Sequence, residues 1–196
     1  KFVDIDANEM VHQIHSDTVV SIKTHSFHLE MGKDYKIKGD ETLLQQAIRA
    51  LIENAVKYSE PHTNVYIKSF IKNGFGRISI RDEGVGISDE DAKRIFDRFY
   101  RVDLSRTKAT GGTGLGLAIV KRIVEIHNGK IEIDSKMNEG TEISIVLPIE
   151  KIIINKDEEN LKNVKKEKSE RKSAVFSFLK KERENKKRKI GRKNNG

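Results

Sequence analysis

Six apolar residues, Leu44, Ala47, Ile48, Leu51, Ile52 and Ala55, recur after Asp40 at the i, i+3, i+4, i+7, i+8, i+11 spacing. That spacing is one buried stripe on an α-helix, and Asp40 is a suitable N-cap for it. The neighbouring stripe, Ala50, Asn54, Lys57 and Tyr58, is the unusual one. An Asn beside a core face costs helix propensity and has to find a polar partner.

Elsewhere the apolar residues alternate. "NVYIKSFIK" puts Val65, Ile67 and Ile71 on one face, "RISIRD" continues with Ile78 and Ile80, and Asn73-Gly74 supplies the hairpin turn between them. "KIEIDSK" and "TEISIVLP" form a second hairpin across "MNEG". Ahead of these, Ala7 to about Ile22 reads as a helix, followed by short strands near Phe27 to Met31 and Tyr35 to Lys38. The polar segment from Ser88 to about Thr113 holds a short helix ending near Phe96. Gly114 then opens a second long helix, with Leu115, Ile119, Ile123 and Ile126 on its stripe and Gly129 as its stop. The only prolines, Pro61 and Pro148, fall at element ends. Hairpins plus helices for a single face predict an α+β fold: a two-layer α/β sandwich with a mixed, mostly antiparallel sheet and helices on one face.

The net charge of +8 belongs to one end of the chain. From Lys151 onward there are 17 Lys/Arg against 7 Asp/Glu, whereas the residues before it carry 21 and 23. Apart from Val175 to Leu179 that tail is almost free of apolar residues, too few to offset its ordering entropy. The sequence therefore divides into a folded domain over 1–150 and a basic, disordered or transiently helical tail over 151–196. There is no Cys, which excludes disulfides and thiolate metal sites and fits a reducing cytoplasm. No apolar run approaches the roughly 20 residues of a transmembrane helix, and the N-terminal residues lack a signal-peptide core.

Three polar clusters are set on this frame: Asn54 with Lys57 on a helix, Asp82 with Gly84 and Gly86 at a strand end, and "GGTGLGL" from Gly111 to Leu117 at a helix start. All three can meet at one sheet edge. A glycine-rich helix entry offers unpaired backbone N–H groups at the positive end of the helix dipole, which suits phosphate oxygens. The pattern is neither a Walker loop, which needs Lys at Leu117, nor a dinucleotide fingerprint, which needs Gly there. An ionised Asp82 is acceptor-only and can take the exocyclic amino group of adenine, which guanine does not offer at that edge. Gly84 and Gly86 allow the sharp turn and the approach of a flat ring. Asn54 can give a carbonyl oxygen to Mg²⁺, and Lys57 can meet phosphate charge.

The pieces "LIENAVKYS", "DEGVGI", "IFDRFYR" and "GGTGLGLAIVKRIVEIHNGKI", in this order and spacing, resemble the N, G1, F and G2 boxes of sensor histidine kinases over about Phe2 to Pro148. The resemblance implies the Bergerat ATP-binding fold, ATP and Mg²⁺ as ligands, and phosphoryl transfer to a histidine. It implies Asn54 as metal ligand, Lys57 as phosphate contact, Tyr58 beside the nucleotide and Asp82 as adenine acceptor assisted by Thr141. Ile87, Gly112, Thr113, Gly114, Leu115, Gly116 and Leu117 would border the nucleotide, with Arg101 near the γ-phosphate. Arg98 to Gly111 would form a mobile lid anchored by Phe96 and Phe99.

Two positions depart from that family's pattern. Ala50 stands where a second Asn is usual, and where related hydrolases place a Glu to activate the attacking group. None of the six histidines, His12, His15, His25, His28, His62 and His127, has the sequence context of a phosphoacceptor. The implied partners are therefore a phosphoacceptor histidine on a dimerisation domain absent from this chain and a response regulator, with homodimerisation only through the absent segment. No nucleic acid is expected. The implied location is the cytoplasm, with the parent protein open to tethering at the cell membrane. A non-catalytic ATP-binding or ATP-sensing module is the alternative reading.

Overall fold

Asp40 caps its helix as the sequence predicts, its Oδ1 accepting from the Leu43 amide at 3.2 Å. This computed structural model describes residues 1–102 and 114–153. In chain order the elements are β1 (Val3–Asp6), α1 (Ala7–Ser21), β2 (Ser26–Met31), β3 (Tyr35–Gly39), α2 (Glu41–Tyr58), β4 (Asn64–Lys72), β5 (Phe75–Asp82), α3 (Asp89–Ala92), α4 (Gly116–Ile126), β6 (Lys130–Lys136) and β7 (Gly140–Ile152). The tail after Ile153, and the stretch 103–113 that makes up most of the expected lid together with Gly112 and Thr113, lie outside the described residues.

The strands make one seven-stranded sheet in the order β1-β3-β7-β5-β4-β2, with β6 paired to β7. All pairings are antiparallel except β2 with β4. Asn73 and Gly74, both at positive φ, close the β4–β5 hairpin between Lys72 and Phe75, as a two-residue turn of this chemistry should. One face of the sheet carries Val65, Ile67, Ile78, Ile80, Ile143 and Ile145, buried beneath the helices. The six residues of the α2 stripe are all in that core, none more than 4% exposed. Lys1–Ile153 forms one compact unit, and its two layers, sheet and helices, are the expected sandwich.

Five local expectations are corrected. α3 stops at Ala92, and turns rather than helix carry the chain to Phe96, the Arg94 and Ile95 amides both reaching the Asp91 carbonyl. α4 begins at Gly116, not Gly114, with Leu115 in the cap position. Its buried stripe is Val120, Ile123 and Val124, while Ile119 and Ile126 stay 42% and 41% exposed. Two adjacent apolar stripes share Ile123, and periodicity alone does not say which of them meets the sheet. The left-handed residue ending α4 is Asn128 at φ 54, whose short side chain tolerates that region; the Gly129 amide then closes on the Val124 carbonyl at 2.9 Å.

The fifth correction is Pro148, which lies inside β7 rather than at its end. It stands opposite Phe75, the first residue of β5. A proline has no N–H for the ladder, so it is tolerated where the strand changes partner. Past it, Ile149, Lys151 and Ile152 pair with β3.

Two polar features tie the layers together. Tyr35 donates to the Arg77 carbonyl at 3.3 Å and meets the Ser69 hydroxyl at 3.1 Å, and Ser69 in turn donates to Asn8 Oδ1 at 2.7 Å. Burial pushes the Tyr35 phenol up to about 12. His127, also buried, has Nδ1 at 2.7 Å from the Ile123 carbonyl, so the proton sits there and Nε2 accepts from the Asp40 amide at 2.9 Å. It thus links the end of α4 to the start of α2. His127→Ala orphans a buried N–H and is expected to lower stability by about 1–3 kcal/mol, read as a reduced denaturant midpoint.

Candidate functional site

β5 ends at Asp82, which is 7% exposed. Its Oδ1 accepts from the Gly84 amide at 2.8 Å, the usual Asp turn chemistry, and from the Thr141 amide of β7 at 3.2 Å. Both bonds land on Oδ1 and neither uses Oδ2. Burial raises the Asp82 carboxyl above the ordinary carboxylate value, outweighing the lowering by those two amides. A raised carboxyl holds its proton to higher pH than a free Asp. Folding therefore favours protonated Asp82, and stability contributed through it declines as pH rises through the raised value. The adenine contact that the sequence leads one to expect of Asp82 uses the ionised form, and its pH dependence has the opposite sign. Nucleotide affinity is expected to fall as pH drops through a value above the ordinary 3.8. A pH series of binding titrations checks this, the dependence disappearing in Asp82→Asn.

Gly84 explains how this strand end is joined to a helix. A Cβ there would lie 2.2 Å from the Tyr58 carbonyl oxygen, and the Val85 amide donates to that same oxygen at 3.3 Å. The turn is thus pressed against the C-terminal end of α2, and only a residue without a side chain permits it. One turn back, Asn54 faces the start of α4: a Cβ on Gly116 would come within 3.9 Å of Asn54 Nδ2. The Lys57 ammonium lies 5.4 Å from the Tyr58 ring. Asn54, the turn at Gly84 after Asp82, and Gly116 from the described part of the third cluster are therefore together at the end of α2.

The remaining expected residues fall around this point. Gly86 lies against the backbone of Lys136, and the Ile87 amide donates to Ser135 Oγ at 2.8 Å. The Gly114 carbonyl accepts from the Phe99 amide at 3.0 Å, joining the helix entry to the segment after α3. Leu115 is half-buried, Leu117 packs on the core, and Arg101 is half-buried at the edge of the described stretch. Phe99 is not an anchor: it is 71% exposed, at φ 65. Ile95, buried, and Phe96 hold that segment instead. Tyr100 adds to them, its hydroxyl donating to Asp91 Oδ1 at 2.6 Å while Arg94 stacks 4.3 Å from its ring.

The structure adds residues that pattern reading passed over. Glu83, next to Asp82, accepts from the Asn64 amide at 3.1 Å, from Asn64 Nδ2 at 3.0 Å and from the Tyr66 hydroxyl at 3.0 Å. These donors hold its carboxyl below the usual range. Ser135 contacts three residues in two segments around Asp82, Ile87 in the turn after it and Gly140 and Thr141 at the start of β7. Ser135 lies at a polar position of an alternating strand and Glu83 just past the end of β5, where sequence offers nothing to separate a bracing side chain from a solvated one. No group of three or more His, Asp or Glu suited to a metal occurs among the described residues. No described helix is long and apolar enough to cross a membrane.

The profile of the histidine kinase-, DNA gyrase B-, and HSP90-like ATPases matches residues 39–151, more than half of the chain. The chain belongs to that family. Among its relatives, the sensor-like histidine kinase SenX3 of Mycolicibacterium smegmatis is 40% identical over 151 residues, 74% of this chain and 38% of that protein. The signal transduction histidine-protein kinase ArlS of Staphylococcus aureus is 41% identical over 115 residues, 59% of this chain and 26% of that protein. The chain thus spans well under half the length of these relatives. Among solved structures, the mycobacterial sensor histidine kinase MprB superposes with a TM-score of 0.66 at 28% identity, covering 76% of this chain and 98% of that one. Full-length ShkA in complex with AMPPNP gives a TM-score of 0.66 at 25% identity, covering 76% of this chain and 31% of that one. Sequence and fold are those of the ATP-binding domain of sensor histidine kinases, and the site around Asp82 lies within the matched region.

Proposed function

We propose that this chain is the catalytic domain of a two-component sensor histidine kinase. It binds ATP with Mg²⁺ and transfers the γ-phosphoryl group to a histidine on a dimerisation domain outside this sequence, for relay to a response regulator. The observation that carries the reading is the convergence at the end of α2: a buried carboxylate held by two amides, an Asn against a glycine-led helix, and a Lys one turn on. Asp82 takes the exocyclic amino group of adenine, and Tyr58, Gly84, Gly86 and Ile87 border the base. The amides at the start of α4, around Gly114 and Gly116, receive phosphate oxygens, with Lys57 and Arg101 offsetting their charge.

Asn54 fits Mg²⁺ through its carbonyl oxygen. A site with one protein ligand suits an ion that keeps its waters and takes its other ligands from phosphates. Bound there, the ion neutralises charge developing on the phosphates. The chain's own residues supply position: they orient the nucleotide so that an incoming imidazole can attack in line. Ala50, half-buried four residues before Asn54, provides no base, consistent with a nucleophile supplied by another segment.

The test mixes the chain with γ-labelled ATP, Mg²⁺ and a dimerisation segment bearing a phosphoacceptor histidine. Acid-labile label on that segment is the expected result. Tight nucleotide binding without transfer would establish a binding-only module instead, a reading that the kinase relatives do not favour.

A further inference from the structure

Ser135 lies in β6, outside the segments assigned to the nucleotide, yet it holds the turn after Asp82 and the start of β7 at once. The Ile87 amide donates to Ser135 Oγ at 2.8 Å, Ser135 Oγ donates to the Gly140 carbonyl at 3.1 Å, and Ser135 Oγ lies 2.8 Å from Thr141 Oγ1. A serine hydroxyl has one proton and two acceptor lone pairs. With the proton directed to Gly140, the two lone pairs are filled by the Ile87 amide and by the Thr141 hydroxyl. That assignment directs the Thr141 proton to Ser135, so Thr141 Oγ1 has only lone pairs to offer any further group. Thr141 is also the residue whose amide donates to Asp82 Oδ1 at 3.2 Å. Thr141 is buried, Ser135 partly so, and these bonds are correspondingly shielded from competing water.

We propose that Ser135 is a positioning residue for recognition of the base. Its hydroxyl fixes the turn after Asp82, through Ile87, relative to the start of β7, through Gly140 and Thr141. That keeps the Thr141 amide on Asp82 Oδ1 and leaves Oδ2 directed by the backbone rather than free to rotate. It also sets Thr141 as an acceptor, so that Asp82 and Thr141 together present acceptors to a base with an exocyclic amino group and oppose a base with a carbonyl at that edge. This proposal rests on the reading of Asp82 as the adenine acceptor.

Calorimetry on the full 196-residue chain with Mg²⁺ tests it, using ADP and inorganic tripolyphosphate as probes. Ser135→Ala and Ser135→Val remove the hydroxyl, the second keeping a good strand former in place should the first fold poorly. Both are expected to weaken ADP binding about five- to tenfold, the size of one lost hydrogen bond's effect. Ser135→Thr, which keeps a hydroxyl, should restore it, and tripolyphosphate affinity should be unchanged in all three. Because Ser135 acts through Asp82, Ser135→Ala added to Asp82→Asn should change ADP affinity by less than about twofold further. Equal losses for ADP and tripolyphosphate, or fully additive effects, would show a general structural role and overturn the proposal. Should Asp82→Asn weaken ADP binding while the Ser135 variants do not, Ser135 alone is ruled out. If Asp82→Asn leaves ADP affinity intact, the adenine assignment itself fails, and this proposal with it.

Discussion

Asp82→Asn is expected to weaken ATP binding by about 1.5–3 kcal/mol, the range for a hydrogen bond to a charged group, which is roughly a ten- to 150-fold rise in Kd. The substitution is nearly isosteric, and the amide oxygen can still accept from Gly84 and Thr141 where Oδ1 does now. The other carboxylate oxygen becomes an NH₂ group. A donor then faces the donor of the adenine amino group, so the loss comprises both a charge-assisted bond and a new opposition. Stability should move the other way or not at all, because burial disfavours the charged carboxylate that the amide replaces. Titration with a fluorescent ATP analogue beside a thermal melt separates the two. Unchanged affinity in a folded variant would sink the assignment of Asp82 to the base.

Much of this site was legible in the sequence because its residues must break local rules. Asn54 interrupts an otherwise ordinary helix face, Asp82 precedes two glycines at a strand end, and a run of glycines up to Gly116 leads into a helix. Each is costly or odd in isolation, which is where a functional constraint shows. The α2 stripe and the two hairpins were legible for the opposite reason: spacing, capping and turn residues all agreed. What stayed hidden depends on contacts between distant segments. Val120 and Val124 rather than Ile119 and Ile126 face the sheet because of how α4 is rotated against α2 and β6, which its own sequence does not encode. Pro148 looks like a strand end until β3 is available as a second partner. Ser135 looks like any polar residue of a two-sided strand until Ile87 is folded against it, and Glu83 like any acid after a strand until Asn64 and Tyr66 of β4 bond to it.

Gly140→Ala should be the most damaging single-methyl change near the site, lowering stability by about 2–6 kcal/mol. Two separate terms add. Gly140 sits at φ 100, a region L side chains rarely adopt, and forcing a Cβ there costs about 1–3 kcal/mol. The new Cβ would also lie 2.0 Å from the Asp82 carbonyl oxygen, which is backbone and cannot swing aside; overpacking of that kind costs typically about 1–3 kcal/mol. The protein can relieve the clash only by moving the start of β7 away from the end of β5. That separates the Thr141 amide from Asp82 and the Gly140 carbonyl from Ser135, so nucleotide affinity should fall together with the melting temperature. Gly74, at φ 79 with nothing within 4 Å of its Cβ position, supplies the control: Gly74→Ala carries the backbone cost without the collision. A Gly140→Ala melt as mild as that of Gly74→Ala would mean that β7 is free to shift, and that the bracket around Asp82 is looser than its hydrogen bonds indicate.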